Sequence, residues 1–422
     1  MPRHQFTINQ VNPEILQKRL LAQSASESHF SLLVSNGHTG PYSQYAWLCG
    51  WGLTRFLSTR KNSLSALKAF HEKEKDWLLG HLNFNLKNEL ENLESQHADP
   101  FEYANLAFFV PTTVVYEKGG TLHCESYQYQ KEEDLIAALP ENWEPTAQAL
   151  PQFQQTLSQE EYLQKIATLK AELQYGSIYE INFCMELAAQ GALEAPGLFW
   201  KLNQRHQAPF TGFYQCQENQ LLCFSPERYL QKKGTLLTSQ PIKGTAKRGK
   251  SEAEDAALQK SLLDSEKERA ENVMIVDLVR NDLSRTAQPA SVRVPELFGL
   301  YSYQAVHQMV STVQSDLAPQ FHFTDALATS FPMGSMTGAP KISALRLIDQ
   351  HENFNRSLYS GSIGYITPQG DFDFNVVIRS ILHHRQKQLS SVRVGSAITI
   401  HCEAQQEYEE CLLKAERLIS LT

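Results

Sequence analysis

Two pairs of glutamates, each with a spacing of three residues, are the first feature of this sequence that could do chemistry. Glu268 and Glu271 form one pair, and Glu407 and Glu410 form the other. Side chains at i and i+3 share a helix face, so each pair would present two carboxylates together. Two such pairs on different helices could hold one hard divalent ion, and Mg²⁺ suits an open site that also binds a substrate carboxylate. The alternative is ordinary ion pairing, for example an i,i+4 pair between Glu410 and Lys414.

A lysine beside a turn is the second candidate. Lys243, in PIKGTAKRG, lies between Ile242 and Gly244 at the end of a predicted strand. Partial desolvation there would lower the pKa of its amine and make it a nucleophile, although a basic surface turn is the alternative. Glu227, in SPERYL, follows the apolar run LLCF sixteen residues upstream. If the two strands are neighbours, we expect Glu227 and Lys243 to converge as an acid and a nucleophile.

The composition limits the partners that this chain can bind. It has 422 residues, a formal net charge of −8, 42% apolar residues and 20% charged residues. These values are typical of a globular protein with a sizeable core, and the acidic balance argues against nucleic acid or an anionic membrane as a partner. An anionic substrate would therefore need cations gathered locally. The seven cysteines show no CxxC spacing and no apolar run could span a membrane, so we expect a soluble cytoplasmic enzyme.

Three helices are predicted to support these groups. Ser158 and Glu161 have capping-box spacing, which predicts a helix that starts at Ser158. A second helix is predicted over about 255–281 and carries the first glutamate pair. A third is predicted over 405–420 and carries the second pair.

The rest of the chain reads as strand-like runs separated by turns. Hairpins with inserted helices favour a mainly antiparallel α+β fold over a repeated βαβ unit. The stretch PENWEPTAQALPQ, with three prolines, is the predicted linker. The string GSMTGAPK does not have the spacing of a phosphate-binding P-loop, so we predict no nucleotide site there.

Seven strings in order carry a resemblance to a known family. They are SPERYL, PIKGTAKRG, SEKERAENVMIVDLVRNDL, FPMGSMTGAPK, YSGSIGYI, FNVVIRS and EYEECLLKAE. The chain resembles the chorismate-utilising enzymes, and within them the aminodeoxychorismate synthase component I group. The resemblance implies an α+β fold of two facing, mainly antiparallel β-sheets flanked by helices. It also implies an N-terminal component I-type region over 1–150, which resembles the family more loosely, and a chorismate-binding catalytic region over 155–422.

The resemblance implies roles for most of the candidate residues. Glu271 and Glu410 match Mg²⁺-binding carboxylates. Glu268 and Glu407 match residues that support the metal site through a water molecule or by contacting the groups that bind the metal. Glu227 matches a general acid that protonates the departing C4 hydroxyl. The other matches are substrate contacts and pocket lining: Tyr359 and Arg379 at the pyruvyl carboxylate, the backbone at Gly395, Lys414 near the ring carboxylate and the metal, and Gly244 and Thr245 in the pocket wall.

Several positions bear on which reaction is implied. Lys243 replaces the alanine usual in anthranilate synthase. In aminodeoxychorismate synthases a lysine there attacks C2 of the ring and displaces the C4 hydroxyl, and ammonia then adds at C4 and expels the lysine. Asn182 stands where isochorismate and salicylate synthases carry a water-activating lysine, which argues against water as the nucleophile. His307 matches a histidine that helps relatives to eliminate pyruvate, and a structural role is the alternative. Ala397 and Ser284 stand where the family usually has glycine.

The implied function is the Mg²⁺-dependent amination of chorismate at C4, which gives 4-amino-4-deoxychorismate for the synthesis of 4-aminobenzoate and folate. No glutaminase nucleophile motif is apparent, so we expect ammonia from a separate glutaminase subunit. One alternative is anthranilate synthase component I, which aminates at C2 and releases pyruvate. The other is a non-catalytic chorismate-binding homologue. The string LLVS at 32–35 lacks the acid of the LLES string in tryptophan-inhibited anthranilate synthases, which predicts no tryptophan feedback.

Overall fold

The computed structural model describes residues 2–38, 40–146, 149–304 and 306–420. In chain order the strands are β1 (His4–Ile8), β2 (His29–Val34), β3 (Trp47–Trp51), β4 (Arg55–Thr59), β5 (Leu78–Leu82), β6 (Leu106–Val110), β7 (Thr113–Lys118), β8 (Thr121–Ser126), β9 (Gln154–Gln155), β10 (Glu180–Gln190), β11 (Phe210–Cys216), β12 (Asn219–Ser225), β13 (Arg228–Lys233), β14 (Leu236–Gln240), β15 (Ile242–Lys247), β16 (Arg293–Ser302), β17 (Val306–Asp316), β18 (Gly338–Ala339), β19 (Ser362–Ile366), β20 (Phe372–Asn375), β21 (Ser380–His384) and β22 (Leu389–Ile398).

The α-helices alternate with these strands along the chain. They are α1 (Pro13–Gln23), α2 (Ser63–Glu74), α3 (Lys87–Leu90), α4 (Glu132–Ala138), α5 (Gln159–Tyr175), α6 (Ala195–His206), α7 (Glu252–Asp264), α8 (Glu266–Ser284), α9 (Phe323–Ser330), α10 (Lys341–His351) and α11 (Ala404–Ile419). Short 3₁₀ turns occur at Ser24–Ser26, Phe84–Leu86 and Gly334–Met336.

The strands pair into two sheets. The first has twelve strands in the order β1-β8-β7-β3-β2-β11-β12-β21-β22-β10-β18, with β9 paired to β10. The second has ten strands in the order β15-β17-β14-β13-β20-β19-β5-β6-β4, with β16 paired to β17. The strand pairs are antiparallel in both sheets, for example β10 with β22 and β15 with β17. The predicted antiparallel α+β fold is therefore confirmed.

Apolar side chains fill two layers. The layer between the sheets includes Tyr214 from the first sheet and Leu79 and Phe109 from the second. Within it, the hydroxyl of Tyr214 lies 2.9 Å from Nδ1 of His81 on β5, so the two sheets face each other directly. The other layer covers the outer face of the first sheet, where α5, α6 and α11 bury residues such as Ile166. Burial of this apolar surface provides the main driving force for the stacking of helix, sheet and sheet.

Two of the three predicted helices are confirmed, and the other is divided. Helix α5 begins after Ser158 with the complete capping box to Glu161, and α11 forms where the C-terminal helix was predicted. The single helix predicted over about 255–281 is wrong, because α7 and α8 are separated at Ser265. Ser265 has an extended backbone, and its side chain accepts a hydrogen bond from the backbone N–H of Glu268. A serine that caps the backbone in this way starts a new helix, so Glu268 lies in the first turn of α8.

Strands from both predicted regions share both sheets. From 1–150, strands β1 to β3, β7 and β8 lie in the first sheet, and β4 to β6 lie in the second. Strands from 155–422 complete each sheet, with contacts such as β2 to β11 and β5 to β19. The predicted linker follows α4, and two of its residues, 147 and 148, lie outside the described residues.

Candidate active site

A cavity of about 520 Å³ lies where both sheets meet α8 and α11. Strands β10 and β22 of the first sheet and β15 of the second form parts of its wall. The predicted site residues that line it are Asn182, Glu227, Lys243, Gly244, Thr245, Glu268, Glu271, Tyr359, Arg379, Gly395, Glu407, Glu410 and Lys414. The fold therefore brings to one place residues that are far apart in the sequence.

The backbone of β15 places Lys243 beside α8. Gly244 has φ +87°, in the left-handed region that glycine adopts without strain. A Cβ atom there would lie 3.1 Å from both Oε2 of Glu268 and Cδ1 of Leu262. Glycine is therefore needed both for the turn of the strand and for the close approach of the helix.

Lys243 is a buried cation paired with an acid from the opposite sheet. Its side chain is 9% exposed, and its Nζ forms an ion pair with the carboxylate of Glu180. Burial lowers the pKa of Lys243, but the carboxylates of Glu180, Glu271 and Glu227 outweigh burial, so the pKa is raised. The predicted lowering of this pKa is wrong, because the fold desolvates the lysine together with three acids. The resting side chain is an ammonium.

Glu227 lies in the loop after β12, where the sequence placed it, and is 5% exposed. The hydroxyl of Ser335 donates a hydrogen bond of 2.7 Å to its Oε1. Burial raises the pKa of Glu227 to about 7, against the lowering effects of Ser335, Lys243 and the backbone N–H of Ile242. The predicted convergence of Glu227 with Lys243 in one cavity is confirmed. A carboxyl that is half protonated near neutral pH suits a general acid.

The four glutamates of the predicted metal site line the same cavity from two helices. Burial, with the charges of Glu180 and Glu268, raises the pKa of Glu271 to about 7. Burial and the neighbouring carboxylate of Glu410 also raise the pKa of Glu407. The pKa of Glu410, in contrast, is lowered, because the charges of Lys414 and Arg379 outweigh the effect of burial.

These carboxylates fit a divalent cation. Oε1 of Glu271 is buried without a hydrogen-bond partner, and Nζ of Lys267 approaches it only to 3.9 Å. In the part of the chain that the structure describes, no three His, Cys, Asp or Glu side chains already stand together as a metal site. Mg²⁺ keeps several waters and needs only one or two carboxylates, so one glutamate from each helix would suffice. The alternative ion pair between Glu410 and Lys414 also forms, at 2.6 Å.

Cations line the same cavity as the acids. The Nζ of Lys414 donates a 2.8 Å hydrogen bond to the backbone oxygen of Gly395, which fixes both groups beside the cavity. Arg379 is the last residue of the loop between β20 and β21, and Arg417 on α11 lines the cavity near it. These side chains supply the local positive charge that an anionic substrate needs in an acidic protein.

The wall formed by β10 and β22 is tightly packed. Asn182 donates a 3.2 Å hydrogen bond through Nδ2 to the backbone oxygen of Ser335. A Cβ atom on Gly395 would lie 2.6 Å from Oδ1 of Asn182 and 2.5 Å from Sγ of Cys184. Glycine is therefore required at 395, whereas Ala397, two residues along β22, is accommodated in the cavity wall.

Comparison with known proteins decides the family. Residues 34–420 match the family described as chorismate binding enzyme. The chain belongs to this family. The match includes every residue of the cavity described above and the strands of both sheets from β3 onward.

Two relatives of this chain are both named aminodeoxychorismate synthase component 1. The protein from Klebsiella aerogenes is 33% identical over 344 residues, which cover 81% of this chain and 76% of that protein. The protein from Escherichia coli (strain K12) is 35% identical over 295 residues, which cover 70% of this chain but 62% of that protein.

Solved structures share the fold of this chorismate-binding enzyme. Anthranilate synthase component I from Streptococcus pneumoniae TIGR4 matches with a TM-score of 0.78 at 23% identity, over 90% of this chain and 93% of that chain. The menaquinone-specific isochorismate synthase from Escherichia coli matches with a TM-score of 0.79 at 17% identity, over 100% of this chain and 95% of that chain. At these identities the likeness shows the fold, two antiparallel sheets with flanking helices.

The structure does not bring His307 to the cavity of this chorismate-binding enzyme. Its ring is fully buried, with Nδ1 2.8 Å from Oγ of Ser302 and Nε2 2.9 Å from Oδ1 of Asp255. The neighbours Val306 and Gln308 line the cavity instead, because successive strand residues point to opposite faces. This placement favours the structural role over the substrate-binding role.

Two residues were missed in the sequence: Ser335, which lines the cavity, and Glu180, which lies next to it. Glu180 pairs with Lys243, and Ser335 binds Glu227. Strand alternation offered a signal for Glu180, because it lies two residues before Asn182 on β10 and therefore on the same face. Ser335 lies in a 3₁₀ turn, and no periodic pattern indicated where its hydroxyl points.

Within the described residues, no helix is both long and apolar enough to cross a membrane.

Proposed function

We propose that this chain aminates chorismate at C4 with ammonia and produces 4-amino-4-deoxychorismate for the synthesis of 4-aminobenzoate and folate. The names of the two curated relatives support this reaction. The observation that carries the proposal is that Lys243 and Glu227 line one cavity, so a nucleophile and an acid can act on the same ring. Anthranilate synthase component I is the alternative, since it shares the fold.

The proposed chemistry passes through a covalent adduct. The amine of Lys243 forms a bond to C2 of the ring, the double bonds shift, and the bond between C4 and oxygen breaks. Glu227 gives its proton to that oxygen, which leaves as water. Ammonia then adds at C4 and expels the lysine amine. At neutral pH a carboxyl with a pKa of about 7 is protonated in a substantial fraction of the molecules, and those molecules can donate the required proton.

The substrate is a dianion, and the cavity offers two ways to bind its carboxylates. Arg379 and Tyr359 would hold the pyruvyl carboxylate, and Lys414, which lines the same cavity, would approach the ring carboxylate. Glu271 and Glu410 would hold Mg²⁺, and Glu268 and Glu407 would support the site through water or through the groups that bind the metal. The ion would supply positive charge to a substrate carboxylate that the acidic wall would otherwise repel.

The product decides between the two amination reactions. The purified chain is incubated with chorismate, Mg²⁺ and ammonium, and products are identified by mass and fluorescence. We expect 4-amino-4-deoxychorismate, and anthranilate as the main product would overturn the proposal. Glutamine in place of ammonium should give no product with this chain alone, because the proposed source of ammonia is a separate glutaminase subunit.

The variant Lys243→Ala separates an enzyme from a non-catalytic chorismate-binding homologue. We expect it to lose amination by at least about 100-fold, since the nucleophile is gone. Lys250→Ala is the matched control, because Lys250 is exposed and lies seven residues further along the same segment. Full activity of Lys243→Ala with ammonia would exclude the covalent mechanism.

A further inference from the structure

Glu180 and Lys243 form a buried ion pair that joins the two sheets beside the cavity. Glu180 is the first residue of β10 in the first sheet, and Lys243 lies on β15 in the second. The two side chains are 1% and 9% exposed. Because an isolated buried charge is costly, each group is kept in place by the other.

The two carboxylate oxygens of Glu180 have different surroundings. Oε1 accepts a hydrogen bond from Nζ of Lys243, whereas Oε2 is buried with no hydrogen-bond partner among the described residues. Glu180 is not among the described residues that line the cavity, whereas Lys243 is. Glu180 therefore reaches the cavity by direct contact through its hydrogen bond to the amine of Lys243, and its charge also acts through space on Glu271.

An ammonium group has no lone pair and cannot attack a carbon atom. The amine of Lys243 must lose a proton first, and other acids that face it are poorly suited to accept one. Glu227 must keep its own proton for the departing hydroxyl, and it already accepts a hydrogen bond from Ser335. Glu271 belongs to the proposed metal site. Glu180 is the carboxylate whose oxygen is in hydrogen-bond contact with Nζ.

We propose that Glu180 is a positioning residue that holds Lys243 in the cavity wall and accepts its proton before the amine attacks the ring. One N–H bond of the ammonium breaks and one O–H bond forms on Glu180, so the ion pair becomes a neutral amine and a neutral carboxyl. After ammonia has expelled the lysine, the proton returns to the amine. This inference rests on the proposed function, because it needs Lys243 to act as a nucleophile.

The surroundings of the pair favour this transfer when substrate fills the cavity. Bound substrate displaces water, and a dry site disfavours two separated charges relative to a neutral pair. Oε2 of Glu180 accepts no hydrogen bond from the described residues, so the hydrogen bond of this carboxylate is the one to the amine of Lys243. The raised pKa of Lys243 agrees with a resting ammonium that needs an acceptor.

The test compares Glu180→Gln with the wild type at saturating Mg²⁺ and free ammonia. We expect kcat to fall by at least about 100-fold while KM for chorismate changes by less than about threefold, since Glu180 does not line the cavity. In the wild type the proton moves inside the pair, whereas in the variant it must go to solvent. The ratio of variant to wild-type kcat should therefore rise by more than about tenfold between pH 6 and pH 8. A constant ratio, or an unchanged kcat, would overturn the inference.

Intact-mass detection of the lysine adduct separates the two ways of failing. A wild type that forms neither adduct nor product contradicts the proposed function. A wild type that forms the adduct, with a variant that forms it equally fast, contradicts the role of Glu180 alone. Asp76→Asn is the matched control for loss of a buried ion pair, because Asp76 is 2.7 Å from Arg3 and lies outside the cavity. It should lower the thermal stability without a pH-dependent change in the kcat ratio.

A second variant decides the question if Glu180→Gln does not fold. Glu180→Asp keeps the charge and the base but withdraws the carboxylate by one methylene group. We expect kcat to fall by at least about tenfold with a pH-independent ratio to the wild type, because the acceptor is still present but poorly placed. Wild-type activity in Glu180→Asp would show that the position of this carboxylate does not matter and would contradict the inference.

Discussion

The hydroxyl of Ser335 donates a hydrogen bond of 2.7 Å to Oε1 of Glu227. The serine comes from the 3₁₀ turn after α9, and the glutamate comes from the loop between β12 and β13. This bond opposes the effect of burial on the carboxyl, whose pKa is about 7. Ser335 therefore helps to set the pH at which the candidate acid loses its proton.

The pH profile of amination should follow Glu227. A general acid must be protonated, so kcat is expected to fall as pH rises through about 7, the pKa that burial gives this carboxyl. Ser335→Ala removes a hydrogen bond that lowers this pKa, so the fall should move to higher pH. Rates are compared at equal free ammonia, since the fraction of ammonium also changes with pH. A profile that is identical in Ser335→Ala would show that Glu227 is not the titrating acid.

The stability of the ion pair can be tested apart from catalysis. Lys243→Ala leaves Glu180 buried without its cation, so we expect a loss of about 3 kcal/mol in the free energy of unfolding. Lys243→Ala combined with Glu180→Gln should recover most of that loss, because no unpaired charge remains, yet amination should stay absent. Urea unfolding of the two variants provides the measurement. A double variant no more stable than the single one would indicate that Glu180 is not the group left unpaired.

Metal binding should depend on Glu271. Glu271→Gln is expected to weaken Mg²⁺ binding by at least about tenfold in calorimetry, since a charged ligand becomes a neutral amide. Glu266→Gln, a substitution of an exposed glutamate in the first turn of the same helix, should leave the affinity within about twofold. Equal affinity in both variants would place the metal elsewhere.

Glu271 should also make the stability of the metal-free protein depend on pH. The pKa of Glu271 is about 7 in the folded protein, above the ordinary value of 4.5. A raised carboxyl pKa means that stability is fully present below the ordinary value and is lost as pH rises through about 7. The melting temperature of the metal-free wild type should therefore fall more between pH 5 and pH 8 than that of Glu271→Gln. Parallel curves for the two proteins would contradict the raised pKa.

The turn at Gly244 provides a steric test with a close control. Gly244→Ala and Gly234→Ala both place a side chain at positive φ, +87° and +61°, which costs about 1–2 kcal/mol of stability. Around Gly234 there is nothing within 4 Å of an added Cβ, whereas at Gly244 Glu268 must move. We expect both variants to lose similar stability in urea unfolding, and Gly244→Ala alone to lose affinity for Mg²⁺. Equal Mg²⁺ affinity would mean that the position of Glu268 does not affect the metal.

Local features of this molecule could be predicted because they depend on residues that are neighbours in the chain. The capping box at Ser158 and Glu161 requires two side chains three positions apart, and it forms as predicted. The convergence of Glu227 and Lys243 could be expected from paired hairpins, although nothing in the spacing required it. The division at Ser265 was missed because the helical pattern continues across it, whereas the break is confined to the extended backbone of this one residue and its capping hydrogen bond.

The sequence by itself determined which chemical groups are present, where the main hairpins and capped helices form, and the order of motifs by which the family resemblance was recognised. Only the tertiary structure decided the charge state of Lys243 and the position of His307. The pKa of Lys243 depends on Glu180 from the other sheet and on Glu271 from α8, which are distant in the chain and close in space. Electrostatic energy depends on distances through space, and those distances exist only after both sheets have packed.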